Sequence, residues 1–292
     1  MRAQELTQSW YWSLRGKLSR ALWEVGDPDV VIGLSGGIDS ALTASLAVDA
    51  LGAERVQLLF LPNDHRVDSE HSRQLAWTLA DQLGASLVEQ PIGDAVDEAA
   101  RALVASGPGQ AQEEGLGSVT QQNLSARLRM TLLMGWANEE SRLMLATGNK
   151  SELAMGYATL YGDLAGAFAP LGDLYKTDIY RLVRRVPELS VIPEGIVQRP
   201  PSAELFTGQE DEQEMMPYAL LDALIRQFKN SADYVGPRDP RIVEDYAQIR
   251  AEYQADPQRL AMRQEWVQNC MEANAFKRRQ APPAFVLQGE GE

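Results

Sequence analysis

The chain has 292 residues, 45% of them hydrophobic and 23% charged, a formal net charge of −14 and a single cysteine. That length fits one large domain, or a core with an appended helical part, at about 100–200 residues per domain, and the acidity repels polyanions over most of the surface, which argues against general nucleic-acid or membrane binding. One cysteine, Cys270, excludes an internal disulfide framework and any cysteine cluster for zinc or iron–sulfur, and suits a reducing cytoplasm.

Residues 3–25 read as an amphipathic helix rich in aromatics. They lack the short apolar core and small-residue cleavage site of a signal peptide. No apolar run approaches the ~18 residues of a membrane span. Short β-type runs then alternate with helical patterns. "VVIGL" (30–34) precedes a helix from about Asp39 to Leu51, and "RVQLLFLP" (55–62) one from about Ser69 to Leu83. "ASLVEQPI" (85–92) precedes a helix to about Val104, and "RLMLATG" (142–148) another helical start. This alternation predicts right-handed crossovers and a doubly wound, mostly parallel α/β sheet covered on both faces. "SGPGQAQEEGLGS" (106–118) reads as a loop. After Pro200 an acidic stretch, "QEDEQE" (209–214), leads to helices at 218–228 and roughly 256–274. The expected layout is one domain over 1–292: an N-terminal helix (1–28), an α/β nucleotide-binding core (about 29–205), and a helical layer with a substrate-closing tail (about 206–292).

The stretch "VIGLSGGIDSALTA" (31–44) runs from a buried strand through Ser35, Gly36 and Gly37 into a helix. This is where α/β folds bind phosphates, on backbone N–H groups and a helix N-terminus. A Walker A loop is excluded because no lysine follows Gly37, and Gly33–Ile38 fails the dinucleotide fingerprint. Local chemistry leaves two readings open. One is a phosphate loop; the other is a glycine-rich turn with Asp39 as a first-turn acid favoured by the helix dipole.

"SGGIDS" resembles the pyrophosphate loop of the ATP pyrophosphatase superfamily, whose members cleave ATP to AMP and pyrophosphate. Further stretches resemble the NAD synthetase family: "NLSARLRM" (123–130), "TGNKSELAMGYATLYGD" (147–163), "APLGDLYKTDIY" (169–180), "PPSAEL" (200–205) and the tail "FKRRQAPP" (276–283). The resemblance implies an adenine-nucleotide α-hydrolase-like fold and a reaction. Deamido-NAD is adenylated by ATP on its nicotinate carboxylate, pyrophosphate leaves, and ammonia attacks the acyl adenylate to give NAD and AMP.

The resemblance also implies roles. Gly33, Leu34, Ser35, Gly36, Gly37, Ile38, Asp39 and Ser40 would cradle ATP, with Thr147, Lys176 and Ser202 as further ATP contacts. Asp39 and Glu152 would hold Mg²⁺, a cation that prefers hard oxygen ligands. Lys176 would stabilise the charge that builds as pyrophosphate departs. Asn123, Arg127, Glu152 and Lys277 would bind deamido-NAD, and Asp163 would hold ammonium or take its proton. Without the resemblance, plainer readings compete. Asn123 and Arg127, four apart, share a helix face that can simply meet solvent. Asn149 with Glu152 makes a capping box. His65 and His71, six apart, read as surface or loop residues, and Cys270 as packing.

One departure concerns nitrogen. Ammonia-dependent bacterial members often carry Lys where Leu160 stands, and "GYATLYGD" is closer to the synthetase half of glutamine-dependent members. The residues before position 30 leave no room for an amidase domain, and nothing around Cys270 resembles an amidase signature. The expectation is therefore a cytoplasmic, ammonia-dependent homodimer. The alternatives are a synthetase partner of a separate glutamine amidase, another pyrophosphate-loop amide ligase, or a nucleotide-binding regulatory protein that has lost turnover.

Overall fold

The computed structural model describes residues 3–65, 69–106, 116–201, 216–233 and 241–287. Ser202 and the acidic stretch 209–214 lie outside the described residues. In chain order the elements are α1 (Ala3–Glu24), β1 (Val30–Gly33), α2 (Ile38–Leu51), β2 (Val56–Phe60), α3 (Glu70–Leu83), β3 (Ser86–Glu89) and α4 (Gly93–Ser106). Then come α5 (Ser118–Glu139), β4 (Leu143–Leu145), α6 (Lys150–Met155), α7 (Lys176–Arg185) and α8 (Glu194–Gln198). The last are α9 (Tyr218–Asp233), α10 (Arg241–Ala255), α11 (Pro257–Ala273) and α12 (Ala275–Arg278).

The sheet is parallel, in the order β3-β2-β1-β4. β1 is central and Val30, Val31 and Ile32 are fully buried, which is why it reads as an unbroken apolar run rather than an alternating one. On one face α1, α2 and α7 pack into the main core with Leu14, Leu42, Leu46 and Ile179. On the other, Val31, Leu59 and Met144 meet Met130 and Leu133 of α5. From β1 the chain moves outward to β2 and β3, and β4 adds on the opposite side. The carboxyl ends of β1 and β4 therefore flank a topological switch point, where α/β sheets open a crevice.

Two additions complete the core. The helical layer packs on α6 through Leu221, Leu224 and Ile225 of α9 and Leu260 and Val267 of α11, with Cys270 against this cluster. Beyond β4 the sheet edge continues as single parallel bridges, Leu145 to Phe168 and Ala169 to Ala284. Phe285 and Leu287 are buried in the main core, and the Leu287 N–H donates to Asp173 at 2.9 Å. Residues 284–287 thus belong to the packed body, which narrows the part of the tail that could close over a substrate.

Candidate active site

The loop from β1 to α2 bends where only glycine is comfortable. Gly36 has φ +81°, and a Cβ there would stand 2.7 Å from the Ser72 carbonyl oxygen in the first turn of α3. Ser40 closes the loop: its Oγ accepts the Ser35 N–H at 3.1 Å and donates to the Gly37 carbonyl at 3.0 Å. No side chain caps the start of α2, so its first N–H groups and dipole are available to an anion.

Three helices bring their first residues to this point. Asp39 comes from α2, Asn149 and Glu152 from the start of α6, and Lys176 opens α7. Lys176 is only 3% exposed. Its ammonium pairs with Asp39 Oδ2 and lies 3.5 Å from Glu152 Oε1. Asn149 Nδ2 donates to the other Asp39 oxygen at 3.2 Å. A buried cation needs such partners, because leaving one uncompensated costs several kcal/mol. The capping box expected of Asn149 and Glu152 is present: Glu152 N–H donates to Asn149 Oδ1 at 3.0 Å, and Asn149 N–H to Glu152 Oε2 at 3.3 Å.

Beneath these groups lies a buried polar layer. Asp222 of α9 accepts the Ser151 hydroxyl and, at 2.9 Å, the Thr177 N–H. Burial pushes its carboxyl up to about 6, against the downward pull of those hydrogen bonds and of Arg226. Arg226 donates to Asp178 at 2.9 Å, and its guanidinium lies 4.1 Å from the Tyr175 ring centre.

The other side of the crevice is built from α5, the 156–165 loop and the tail. Asn123 Oδ1 accepts the Thr159 hydroxyl at 2.8 Å, and Arg127 Nε donates to the Leu160 carbonyl at 3.1 Å. Lys277 donates to the carbonyls of Gly156 and Ala158 at 2.7 and 2.8 Å. Arg278 and Asn274 reach the carbonyls of Ala154 and Met155, at 2.8 and 3.0 Å. Asp163 accepts the Thr159 N–H at 2.8 Å. Its residue surface is solvent-accessible, yet crowding protein atoms desolvate the carboxyl and raise its pKa, with Thr159 and Lys277 opposing.

One cavity of about 460 Å³ joins the two sides. Gly33, Leu34, Ser35, Gly37, Ile38, Asp39 and Ser40 line it, as do Thr147, Glu152, Lys176, Asn123, Asp163 and Lys277. Gly36 lies behind the wall against Ser72, and Arg127 turns to the Leu160 backbone. Sequence reasoning overlooked Arg129 and Arg199, which also line the cavity. Their signal was a cation within one quoted stretch (Arg129 in 123–130) and next to another (Arg199 before 200–205) in a chain of charge −14. It also overlooked Asp222, which has no local signature.

A parallel sheet with a glycine phosphate loop at its switch point, faced by a lysine and two carboxylates, defines an α/β nucleotide-binding protein. The chain belongs to the NAD synthase family, whose model matches residues 12–281. It is 38% identical over 261 residues to the glutamine-dependent NAD(+) synthetase of Xylella fastidiosa (strain Temecula1), covering 88% of this chain and 44% of that protein. To the protein of the same name from Thermotoga maritima it is 43% identical over 206 residues, 70% of this chain and 34% of that one. The chain therefore spans less than half the length of these relatives. Among solved structures, the NH3-dependent NAD synthetase from Campylobacter jejuni superposes with a TM-score of 0.65 at 28% identity, covering 99% of this chain and 100% of that one. The NMN synthetase from Francisella tularensis gives 0.65 at 30% identity, covering 85% and 94%.

Proposed function

We propose that this chain catalyses the ATP-dependent amidation of deamido-NAD to NAD, with ammonia as the nitrogen nucleophile. The observation that carries the reading is the meeting of Asp39, Glu152 and Lys176 at the phosphate loop, in the same cavity as Asn123, Asp163 and Lys277. The triphosphate lies on the Ser35–Gly37 backbone and the start of α2. A nicotinate carboxylate oxygen attacks the α-phosphorus of ATP, and the bond to pyrophosphate breaks. Lys176 neutralises the leaving oxygens in a water-poor site, where such a charge has its largest effect. Ammonia then attacks the acyl carbon, AMP leaves, and the nitrogen sheds a proton. Asp163, its pKa raised by desolvation, is the proposed acceptor. Thr147, and Ser202 beyond the described residues, are proposed ATP contacts; Asn123, Arg127 and Lys277 are proposed deamido-NAD contacts.

Asp39 and Glu152 are the groups that would hold Mg²⁺. They fit it: both are hard carboxylate donors, and an oxygen of each converges on the same cation, the Lys176 ammonium, at the mouth of the phosphate loop. Mg²⁺ commonly takes one or two carboxylates and completes its shell with phosphate oxygens and water. When bound it would polarise the phosphates and neutralise their charge.

The whole chain is proposed to act as one synthetase domain in a cytoplasmic homodimer. Val119 and Met134, exposed on α5, are apolar surface that a second copy would cover; no described helix is long and apolar enough to cross a membrane. The test is pyrophosphate release and NAD formation by the purified chain, with ammonium chloride or glutamine as sole nitrogen source. Ammonium-driven, deamido-NAD-dependent turnover is expected, with the rate rising with pH because NH₃ is the nucleophile. Glutamine use that vanishes in Cys270→Ser would overturn the nitrogen assignment. Glutamine use only on adding a second protein would favour a separate amidase. An arm with a mononucleotide in place of the dinucleotide separates this reaction from that of the NMN synthetase relative.

A further inference from the structure

The helical layer reaches the proposed site through one carboxylate that does not line the cavity. Asp222 is fully buried in α9, 71 residues from Ser151 and 45 from Thr177. Its two oxygens take separate donors, the Ser151 hydroxyl on Oδ1 and the Thr177 N–H on Oδ2. Ser151 Oγ in turn accepts the Lys176 N–H at 2.9 Å. A serine hydroxyl has one hydrogen to give, so this chain of bonds has a fixed direction: Lys176 N–H to Ser151, and Ser151 O–H to Asp222.

The recipients sit beside the chemistry. Ser151 is the neighbour of Glu152, and Thr177 is the neighbour of Lys176. α6 and α7 are not consecutive turns of one helix; the 156–175 segment links them. Their charged side chains lie 3.5 Å apart, and the starts of the two helices are joined by the Lys176 N–H to Ser151 bond and by the Lys150 N–H to the Leu174 carbonyl at 2.8 Å; Asp222 adds a carboxylate that takes a donor from each helix. The geometry points to Asp222 as a positioning residue that, through Ser151 and Thr177, fixes the spacing of Glu152 and Lys176. This assignment rests on the roles proposed above for those two side chains. Asparagine at 222 keeps the shape but must present its amide to one of two donors, so one of the two bonds is lost.

Asp222→Asn and Ser151→Ala test this, with thermal melting to confirm that each folds. Binding of magnesium pyrophosphate by calorimetry gives a readout independent of turnover. Displaced supports of this kind commonly cost about 10–100-fold. Each variant should weaken pyrophosphate binding and lower kcat in that range, leaving KM for deamido-NAD within about twofold. In a Lys176→Met background, the Asp222→Asn effect on pyrophosphate affinity should shrink at least about threefold, because the spacing that Asp222 sets has lost one of its two ends. Wild-type pyrophosphate affinity in both single variants would overturn the inference, and so would an undiminished effect beside Lys176→Met. Wild-type protein that binds pyrophosphate but shows no deamido-NAD-dependent turnover would sink the catalytic reading alone, and the binding measurements would still decide the role of Asp222. Wild-type protein that does not bind pyrophosphate would overturn both.

Discussion

The two sides of the cavity keep their charged groups in different ways. On the phosphate side the lysine and the carboxylates pair with one another, at the ends of helices fixed in the core. On the side proposed for the dinucleotide, Lys277 holds two carbonyls of the 156–158 turn and Arg127 holds that of Leu160. The first arrangement is already close to what a phosphate and a cation need. The second would have to exchange internal hydrogen bonds for those of a ligand under the proposed assignment. Changes on the phosphate side should therefore appear chiefly in kcat, and changes on the dinucleotide side chiefly in KM.

The largest effect should come from the ion cluster. Asp39→Asn, Glu152→Gln and Lys176→Met should each lower turnover by roughly 10²–10³, the range for losing one electrostatic stabiliser. Asp39→Asn should also lower the melting temperature, since it removes the charge that pairs most closely with the buried Lys176 and leaves Glu152 at 3.5 Å. Near-normal turnover of the carboxylate variants at saturating Mg²⁺ would remove the contrast altogether.

Next comes the loop. Gly36→Ala combines a positive φ with a collision against Ser72. It should cost more than the ~1–2 kcal/mol of the backbone strain alone and lower kcat at least about tenfold, an effect of the order of one lost charge-assisted contact. Gly84→Ala, with φ +65° and nothing within 4 Å of the new Cβ, should show the strain alone. Equal losses of stability in denaturant titrations of the two would mean that the approach of α3 to the loop is not a constraint.

On the dinucleotide side, Lys277→Met should raise KM for deamido-NAD roughly tenfold, the worth of one charge-assisted hydrogen bond, with KM for ATP unchanged. Equal changes in both would erase the distinction between the two sides. Removing the entire tail would not give a clean answer, because Phe285 and Leu287 are core residues.

Two smaller effects sharpen the picture. The Asp222 carboxyl is raised by burial from 3.8 to about 6, so between those values the folded state binds a proton that the unfolded chain releases. Its contribution to stability is complete below about pH 4 and is lost as pH rises through about 6. Asp222→Asn does not titrate, so it should gain on wild type by a few degrees of melting temperature from about pH 4 to about pH 7. A constant gap would mean that burial does not raise the Asp222 carboxyl above its unfolded value. Cys270→Ser should leave kinetics with ammonium unchanged, since the thiol packs on the helical layer and burial raises its pKa.

Much of this was written locally. The β1 strand, the glycine loop and the start of α2 are contiguous, and each carries its own signal: an apolar run, glycines, then helical spacing. Asn149 and Glu152 likewise announce a cap within four residues, and the observed helix begins there. α10 escaped notice because "RIVEDYAQIRAEYQA" mixes polar and apolar residues without a clear stripe. The bond from Asn149 to Asp39 spans 110 residues, and that from Asp222 to Thr177 spans 45. Such pairings follow from strand order and helix docking, which no short window of residues records. The tail showed the same limit: its basic residues stood out, but its place along the sheet edge beyond β4 did not.

The position of β4 has a consequence for the order in which the molecule comes together. Asp39 and Lys176 are 137 residues apart, and the crevice between them opens only after β4 has docked beside β1. Closing so long a loop is entropically slow to be rewarded. A chain folded only as far as β3 would own the glycine loop and lack its counter-wall. Nucleotide held between the two walls therefore binds only the finished topology. It should protect the whole sheet against unfolding, by about 2.7 kcal/mol when present at a hundredfold excess over its Kd.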